Sequence, residues 1–288
     1  MTDTSTTKQI ELRLGTSALR EYLWASVCDS HLFLFICNLA LGGDHVSLIA
    51  KQALDGAKDY KELTPGKLAK TKPGVLTLAL RQSRQELLEM FLSRAVDNFQ
   101  VYLVDIIRLA LHKQPRILSE RKQEITLSHI LKFDSIEALT RDIVEAKLSV
   151  LSYEGFGELE DWCQSKAIPL VVPDGKRMKI VELIALRNII IHSRGAIDDR
   201  YKTAVRSSSF EVGKKRVLDV DDLLGAVELL DTVAKATDGA IAVKFGIEQQ
   251  DVTAELASRS AERWSSPPRG TAQKGGKSIR GASKARKS

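Results

Sequence analysis

Arg187, Asn188 and His192 fall within six residues of one another, in the run Leu-Arg-Asn-Ile-Ile-Ile-His-Ser-Arg-Gly. Their chemistries complement one another. An imidazole titrates near neutral pH and can take a proton or give one up. A guanidinium is always charged, and its planar fork fits the oxygens of a phosphate or carboxylate. A carboxamide beside it can hydrogen-bond an anion or orient the imidazole. On an α-helix Asn188 and His192 are one turn apart and share a face; Arg187 and His192 lie about 140° apart around the axis and flank that face. An Arg five residues before a His is a spacing that chance supplies readily in a chain with five His. The surroundings therefore have to carry the argument.

Those surroundings, from Glu182 to Tyr201, read as the end of a helix. Val181, Ile184, Leu186, Ile189, Ile190 and Ile191 put apolar side chains on nearly every side, and a helix apolar all round is normally buried. Burying an unpaired guanidinium costs several kcal/mol, so Arg187 must be paired or must face a cleft. Gly195, after Ser193 and Arg194, suits a left-handed helix stop. Each polar residue also has a structural reading. Arg187 pairs with Glu182 or Asp97; His192 is a satisfied core histidine; Asn188 bonds backbone at the helix end. Glu182 reads as a solvated or structural acid, and Tyr201 as packing against the helix end.

The stretch Leu186 to Tyr201 resembles the HEPN superfamily, whose ribonuclease members carry Arg-x(4–6)-His with a polar residue after the Arg. More narrowly it is similar to the bacterial RiboL-PSP-HEPN group of defence and toxin systems. Many of those sequences read Arg-Asn-x-x-x-His-Asn-Arg-Gly followed by a Tyr; Ser193 stands here in place of the second Asn. Ser152-Tyr153 and the Val212-Gly213 loop add to the likeness, which covers about residues 80–245. It implies an endoribonuclease without metal or cofactor, with Arg187, Asn188 and His192 as its catalytic residues. It also implies a homodimer in which two such helices share a cleft, RNA as substrate, and an antitoxin or defence-system partner. A second reading is a non-catalytic HEPN dimerisation or binding module. A DNA-binding regulator ranks below both, because no helix-turn-helix is recognisable.

Composition frames these readings. The 288 residues, 43% hydrophobic and 28% charged, are ordinary for a soluble globular protein. Residues 1–10 lack the pattern of a signal peptide. The most apolar run, Leu32 to Leu41, is ten residues long. It is too short to span a bilayer and fits a core helix, so the expectation is a cytoplasmic protein with no membrane partner. Cys28, Cys37 and Cys163 have no metal-type spacing and read as reduced, buried thiols. His31, His45, His112 and His129 form no ligand cluster with them, so no zinc site is expected. The net charge of +6 sits in the tail: residues 258–288 hold nine Lys or Arg against one acid, Glu262. The rest of the chain is slightly acidic, which argues against a general nucleic-acid-binding surface on the body.

Along the chain, Leu19, Leu23, Val27, Leu34, Cys37 and Leu41 mark a first helix that Gly42-Gly43 should stop. A shorter helix follows to about Leu54, then a loop over 55–74 with Pro65 and Pro73. No Pro or Gly occurs between Gly74 and Pro115, and Leu80, Leu88, Phe91, Ala95, Phe99, Tyr102 and Ile106 mark one long helix over 76–112. A connection over 116–133 leads to a helix opened by the Asp134-x-x-Glu137 signal and running to about Leu151. A short helix bears Leu159, Trp162 and Cys163. The Arg/His helix begins near Lys176. Val212-Gly213 marks a possible small hairpin. Asp219 or Asp221 caps the last helix, which carries Leu223, Leu224, Val227, Leu230 and Val233. Beyond about Ala257 the apolar period is lost. The expected architecture is all-α: a HEPN-like helical bundle (75–250), an N-terminal helical extension (1–74) and a disordered basic tail (257–288).

Overall fold

The computed structural model describes residues 14–54, 74–119, 125–153, 155–206 and 210–265, and over these the chain is all-α. Ten helices follow in order among the described residues. They are α1 (Ser17–Leu54), α2 (Val75–Gln82), α3 (Arg84–Lys113), α4 (Leu127–Ile130), α5 (Ile136–Tyr153), α6 (Phe156–Ser165), α7 (Arg177–Ser193), α8 (Asp199–Val205), α9 (Val220–Phe245) and α10 (Val252–Ser265). A 3₁₀ turn, Pro115–Leu118, follows α3. The expected absence of a central sheet holds among the described residues. The two strands, β1 (Leu14–Gly15) and β2 (Gln250–Asp251), are two residues each and pair antiparallel, tying the start of α1 to the start of α10.

α3 is the centre. It packs against α1, α9, α5 and α7, and Leu92, Val96, Phe99, Ile106, Ile107, Ala110 and Leu111 on it are fully buried. Its partners supply Tyr22 from α1, Val144 from α5, Ile180 and Leu186 from α7, and Leu230, Val233 and Ile241 from α9. Two polar side chains inside this core, Tyr102 and Asp238, are held by hydrogen bonds. The Tyr102 hydroxyl donates to the Ala234 carbonyl at 2.8 Å. Asp238, fully buried, accepts from the Thr16 amide at 3.0 Å and the Thr16 hydroxyl at 2.6 Å. Helix starts follow local chemistry: Asp219 caps α9 in a reciprocal box with Asp222. At α5 it is the Ser135 hydroxyl that accepts from the Ala138 amide, one residue after the Asp134 start signal.

Three expectations are corrected. Gly42-Gly43 does not stop the first helix; α1 runs through it for 38 residues. Glycine inside a helix costs only about 1 kcal/mol relative to alanine. Gly43 is where α2 crosses: a Cβ there would stand 2.5 Å from Leu76 Cδ1. The long helix expected over 76–112 is broken at Ser83 into α2 and α3. The break lets α2 lie along α1, where Asp44 accepts from the Leu76 and Thr77 amides at 3.0 and 2.7 Å. The Thr77 hydroxyl and these two amides hold the Asp44 carboxyl below its usual range. Gly74 makes room for that contact, since a Cβ there would fall 2.3 Å from the Asp44 carboxylate carbon. Third, the chain does not lose structure at Ala257. α10 continues to Ser265 and lies on α1, with Arg259 ion-paired to Glu21 at 3.0 Å and Arg263 over the Trp24 ring at 5.9 Å. Charged and cation–π contacts hold it to α1. The expected loop over 55–74 (except Gly74), residues 1–8 and the tail from 266 onward lie outside the described residues.

The unbroken α1 also changes the membrane argument: Ser17–Val46 has the length and mean hydropathy (1.4) of a span. Of the three cysteines only Cys163 is buried, and Cys28 and Cys37 are half-buried. Burial pushes the Cys163 thiol up to about 12. A disulfide-exchange dye at pH 8 should therefore react with two thiols in the native protein and with the third only on denaturation. Asp238→Ala leaves a buried amide and hydroxyl unpaired and should lower stability by roughly 2–4 kcal/mol. Thermal unfolding checks this.

Candidate active-site face

α7 is set by its apolar residues. Ile180, Leu183, Ile184, Leu186 and Ile189 are buried against α3, α6 and α8. That leaves one open side, on which Asn188, Ile191 and His192 are exposed. The helix is thus not buried all round: Ile180, Ile184 and Ile189 face inward, and the side with Asn188, Ile191 and His192 faces outward.

The end of α7 is fixed by a tight reversal. Arg194, one residue before the expected glycine, already has left-handed backbone (φ 53°, ψ 38°), and Gly195 follows at φ 78°. The Gly195 amide donates back to the Ile189 carbonyl at 2.9 Å. A side chain at Gly195 would stand 2.7 Å from Glu89 Oε1 on α3, so glycine is required by both conformation and space. The segment then pairs with the stretch after Val212-Gly213. Ile197 donates to Lys214, Gly213 to Ile197 and Arg216 to Gly195, at 2.8–2.9 Å. The hairpin expected around Gly213 is therefore a pairing back onto residues 195–197. Gln85 and Glu89 of α3 lock it: Lys215 lies 3.2 Å from Glu89, and Gln85 bonds the Arg216 carbonyl and the Leu218 amide.

Arg187 is held from the side. Its Nε donates to Asp97 Oδ1 on α3 at 2.6 Å, and Nη1 donates to Asn188 Oδ1 at 3.1 Å. Of the two expected partners Asp97 is the one engaged. Glu182 instead bonds Lys179 at 3.0 Å and faces Arg216 at 4.0 Å, which is the structural role read for it. Asn188 bonds the Arg187 side chain, so the backbone-bonding reading is set aside. His192 is exposed, which overturns its reading as a core histidine. Tyr201 is buried against the helix end, edge-on to Phe210 at 5.6 Å.

Sequence reasoning missed Arg94. On α3, Met90, Arg94, Asp97 and Val101 recur at helical spacing and form one outward stripe beside α7. Arg94 donates to Asp29 of α1 at 2.7 Å, and Asn98 donates to the other oxygen at 2.9 Å. Asp29, and more weakly Asp97, hold the Arg94 guanidinium above its usual range. A row of alternating charge thus runs across α3, from Asp29 on α1 to Arg187 on α7. The i, i+3 spacing of Arg94 and Asp97 was the available signal.

Among the described residues no three His, Cys, Asp or Glu gather into a metal-binding group. An open cleft of about 540 Å³ lies between Glu160, Gln164, Ile168 and Arg177. It sits at the opposite end of α7 from His192, fifteen residues or about 22 Å along the helix. Arg177 is bonded there to Glu160 at 2.5 Å. No protein-family model, curated protein sequence or solved structure matches this chain.

The Arg187–Asp97 pair is partly exposed, 25% and 41% for the two side chains. Asp97→Ala should therefore lower stability by no more than about 1 kcal/mol, with a smaller effect in high salt. Melting curves at two ionic strengths test this.

Proposed function

We propose that this chain is a metal-independent endoribonuclease of the HEPN type, acting as a homodimer. The observation that supports it is the single open side of α7, where Asn188 and His192 stand in solvent beside an Arg187 held by Asp97. A histidine placed for packing would be inside; this one is presented. Cleavage without metal needs a base for the ribose 2′-hydroxyl, an acid for the leaving 5′-oxygen and positive charge on the phosphorane-like state. His192 supplies proton transfer and Arg187 the charge. Asp97 orients the guanidinium through Nε, and Asn188 does so through Nη1. One chain offers one histidine on this face, and a two-fold pairing of α7 helices brings a second, so that base and acid come from different copies. By the same resemblance the biological role is that of a toxin or antiphage effector held in check by an antitoxin or defence-system partner.

The 2.6 Å Arg187–Asp97 bond also favours a second reading, a dimerisation or binding module in which this pair is structural. Kinetics separate the two. In the first, purified protein cleaves RNA in EDTA and leaves a 2′,3′-cyclic phosphate and a 5′-hydroxyl. His192→Ala should then lower the rate at least about 10²-fold without unfolding the protein. Arg187→Lys should also be damaging, because a point charge cannot replace the fork. Ends bearing a 5′-phosphate, or full activity in His192→Ala, contradict the mechanism. A folded protein that cuts no RNA supports the module.

A further inference from the structure

α1 divides into two halves. Over Ser17–Ser30 its outer face is covered by α10: Arg259 pairs with Glu21, and Arg263 lies over Trp24 and donates to Cys28 Sγ at 3.0 Å. Its inner face packs on α3 through Tyr22, Asp29 and Phe33, the last edge-on to Phe91 at 5.2 Å. At 100° per residue, Leu32, Phe35, Leu39 and Val46 continue the stripe that Glu21, Trp24 and Cys28 begin. On this second half the stripe is bare. Leu32, Phe35, Leu39 and Val46 on it are each 46–67% exposed, and Leu34 and Leu41 are exposed on the other side of the helix. The helix clamped beside them, α2, adds exposed Val75, Leu76 and Leu78.

The stripe residues and those of α2 together offer on the order of 700 Å² of apolar surface. The largest patch on a typical monomer is about 300–600 Å², and one partner of a standard stable interface buries about 800 Å². Between Glu21 and Lys51 the only charged residues of α1 are Asp29 and Asp44, and both are used inside the molecule. The bare stripe therefore carries no charge, as the core of a protein interface does. A bilayer fits less well. Ser17–Ser30 is committed to α3 and α10, which leaves about 15 residues from Leu32 to Val46, short of the ~20 that span a membrane. A helix lying in the lipid interface would need basic residues along it, and this stretch has none.

We infer that the bare stripe of α1, with α2, is a homodimer interface that a second copy of this chain covers with the same stripe. The surface is neutral and apolar, so it complements itself across a two-fold axis without opposing like charges. Asp29 meets Arg94 at the edge of the exposed stripe of α3 that also carries Asp97, so α1 adjoins that stripe, and the inference includes a two-fold axis shared with the α7 face. The inference stands on exposure and charge alone, and loss of the nuclease reading leaves it intact.

Sedimentation of the full chain at about 10 µM decides it. Wild type should run at twice 31.9 kDa, and the Phe35→Glu/Leu39→Glu variant at 31.9 kDa with unchanged helical circular dichroism. Hydrogen exchange on wild type needs no substitution: on concentration from about 0.1 to 10 µM, protection should rise over 32–46 and 75–78. A monomeric wild type, or a dimer that survives the double substitution, overturns the inference; so does a monomer that floats with lipid vesicles. A dimer broken by Ile191→Glu but indifferent to Phe35→Glu/Leu39→Glu would place the interface on α7 alone and also overturn it. RNA cleavage, measured separately, reports on His192 and not on the arm.

Discussion

α3 has to lose its apolar surface on several sides at once, and no single neighbour can cover it. Phe99, Val96, Leu92, Ile106 and Ile107 point to different partners yet are all fully buried. At about 1.5–3 kcal/mol for each large side chain, this is the largest favourable term in the molecule. It is satisfied only when α1, α5, α7 and α9 surround the helix. The one stripe they leave open, Met90–Arg94–Asp97–Val101, is where the polar chemistry collects. The candidate site is thus a by-product of how the core closes: α7 comes to lie beside the side of α3 that faces solvent.

That placement explains why the ion pairs sit where they do. Asp29 joins α1 to Arg94 and Asn98, and Asp97 joins α3 to Arg187. Partly exposed pairs of this kind add little stability, but they fix direction. A guanidinium bonded at Nε and Nη1 has few orientations left. The other end of α7 is held by a different device, the left-handed step at Arg194–Gly195 and the pairing of 195–197 with 213–216. Helix α7 is therefore registered at two points, by Asp97 near its middle and by Glu89 and Gln85 beyond its end. Both registers come from α3, so the positions of Arg187 and His192 depend on the same packed helix.

The arm is the counterpart of this closed core. α2 turns away from α3 at Ser83 and follows α1, and Gly43, Gly74 and Asp44 make the crossing tight. The contact leaves the outer side of α1 beyond Cys28 without cover among the described residues. Folding alone leaves that apolar surface in water, and association is the general remedy.

The helices of the bundle were legible in the amino-acid sequence because a 3.6-residue apolar period and a capping group are local facts. α7, the Asp219 cap, the all-α class and the grouping of Arg187, Asn188 and His192 could all be read that way. The corrections share one cause. Gly42-Gly43 was read as a stop because glycine breaks helices on average, but here α2 needs the missing side chain for close approach. Ser83 carries no breaker signal, and the chain divides there because Asp44 captures the start of α2. α10 was invisible because Arg259 and Arg263 find their partners on α1, some 240 positions earlier. Which acid would hold Arg187, and whether His192 would face core or solvent, also depended on distant neighbours. Sequence alone determined the all-α class, most of the helical segments and which residues could do chemistry. Only the tertiary structure decided which sides stay open, because exposure is set by what packs across from a residue and not by the residues beside it.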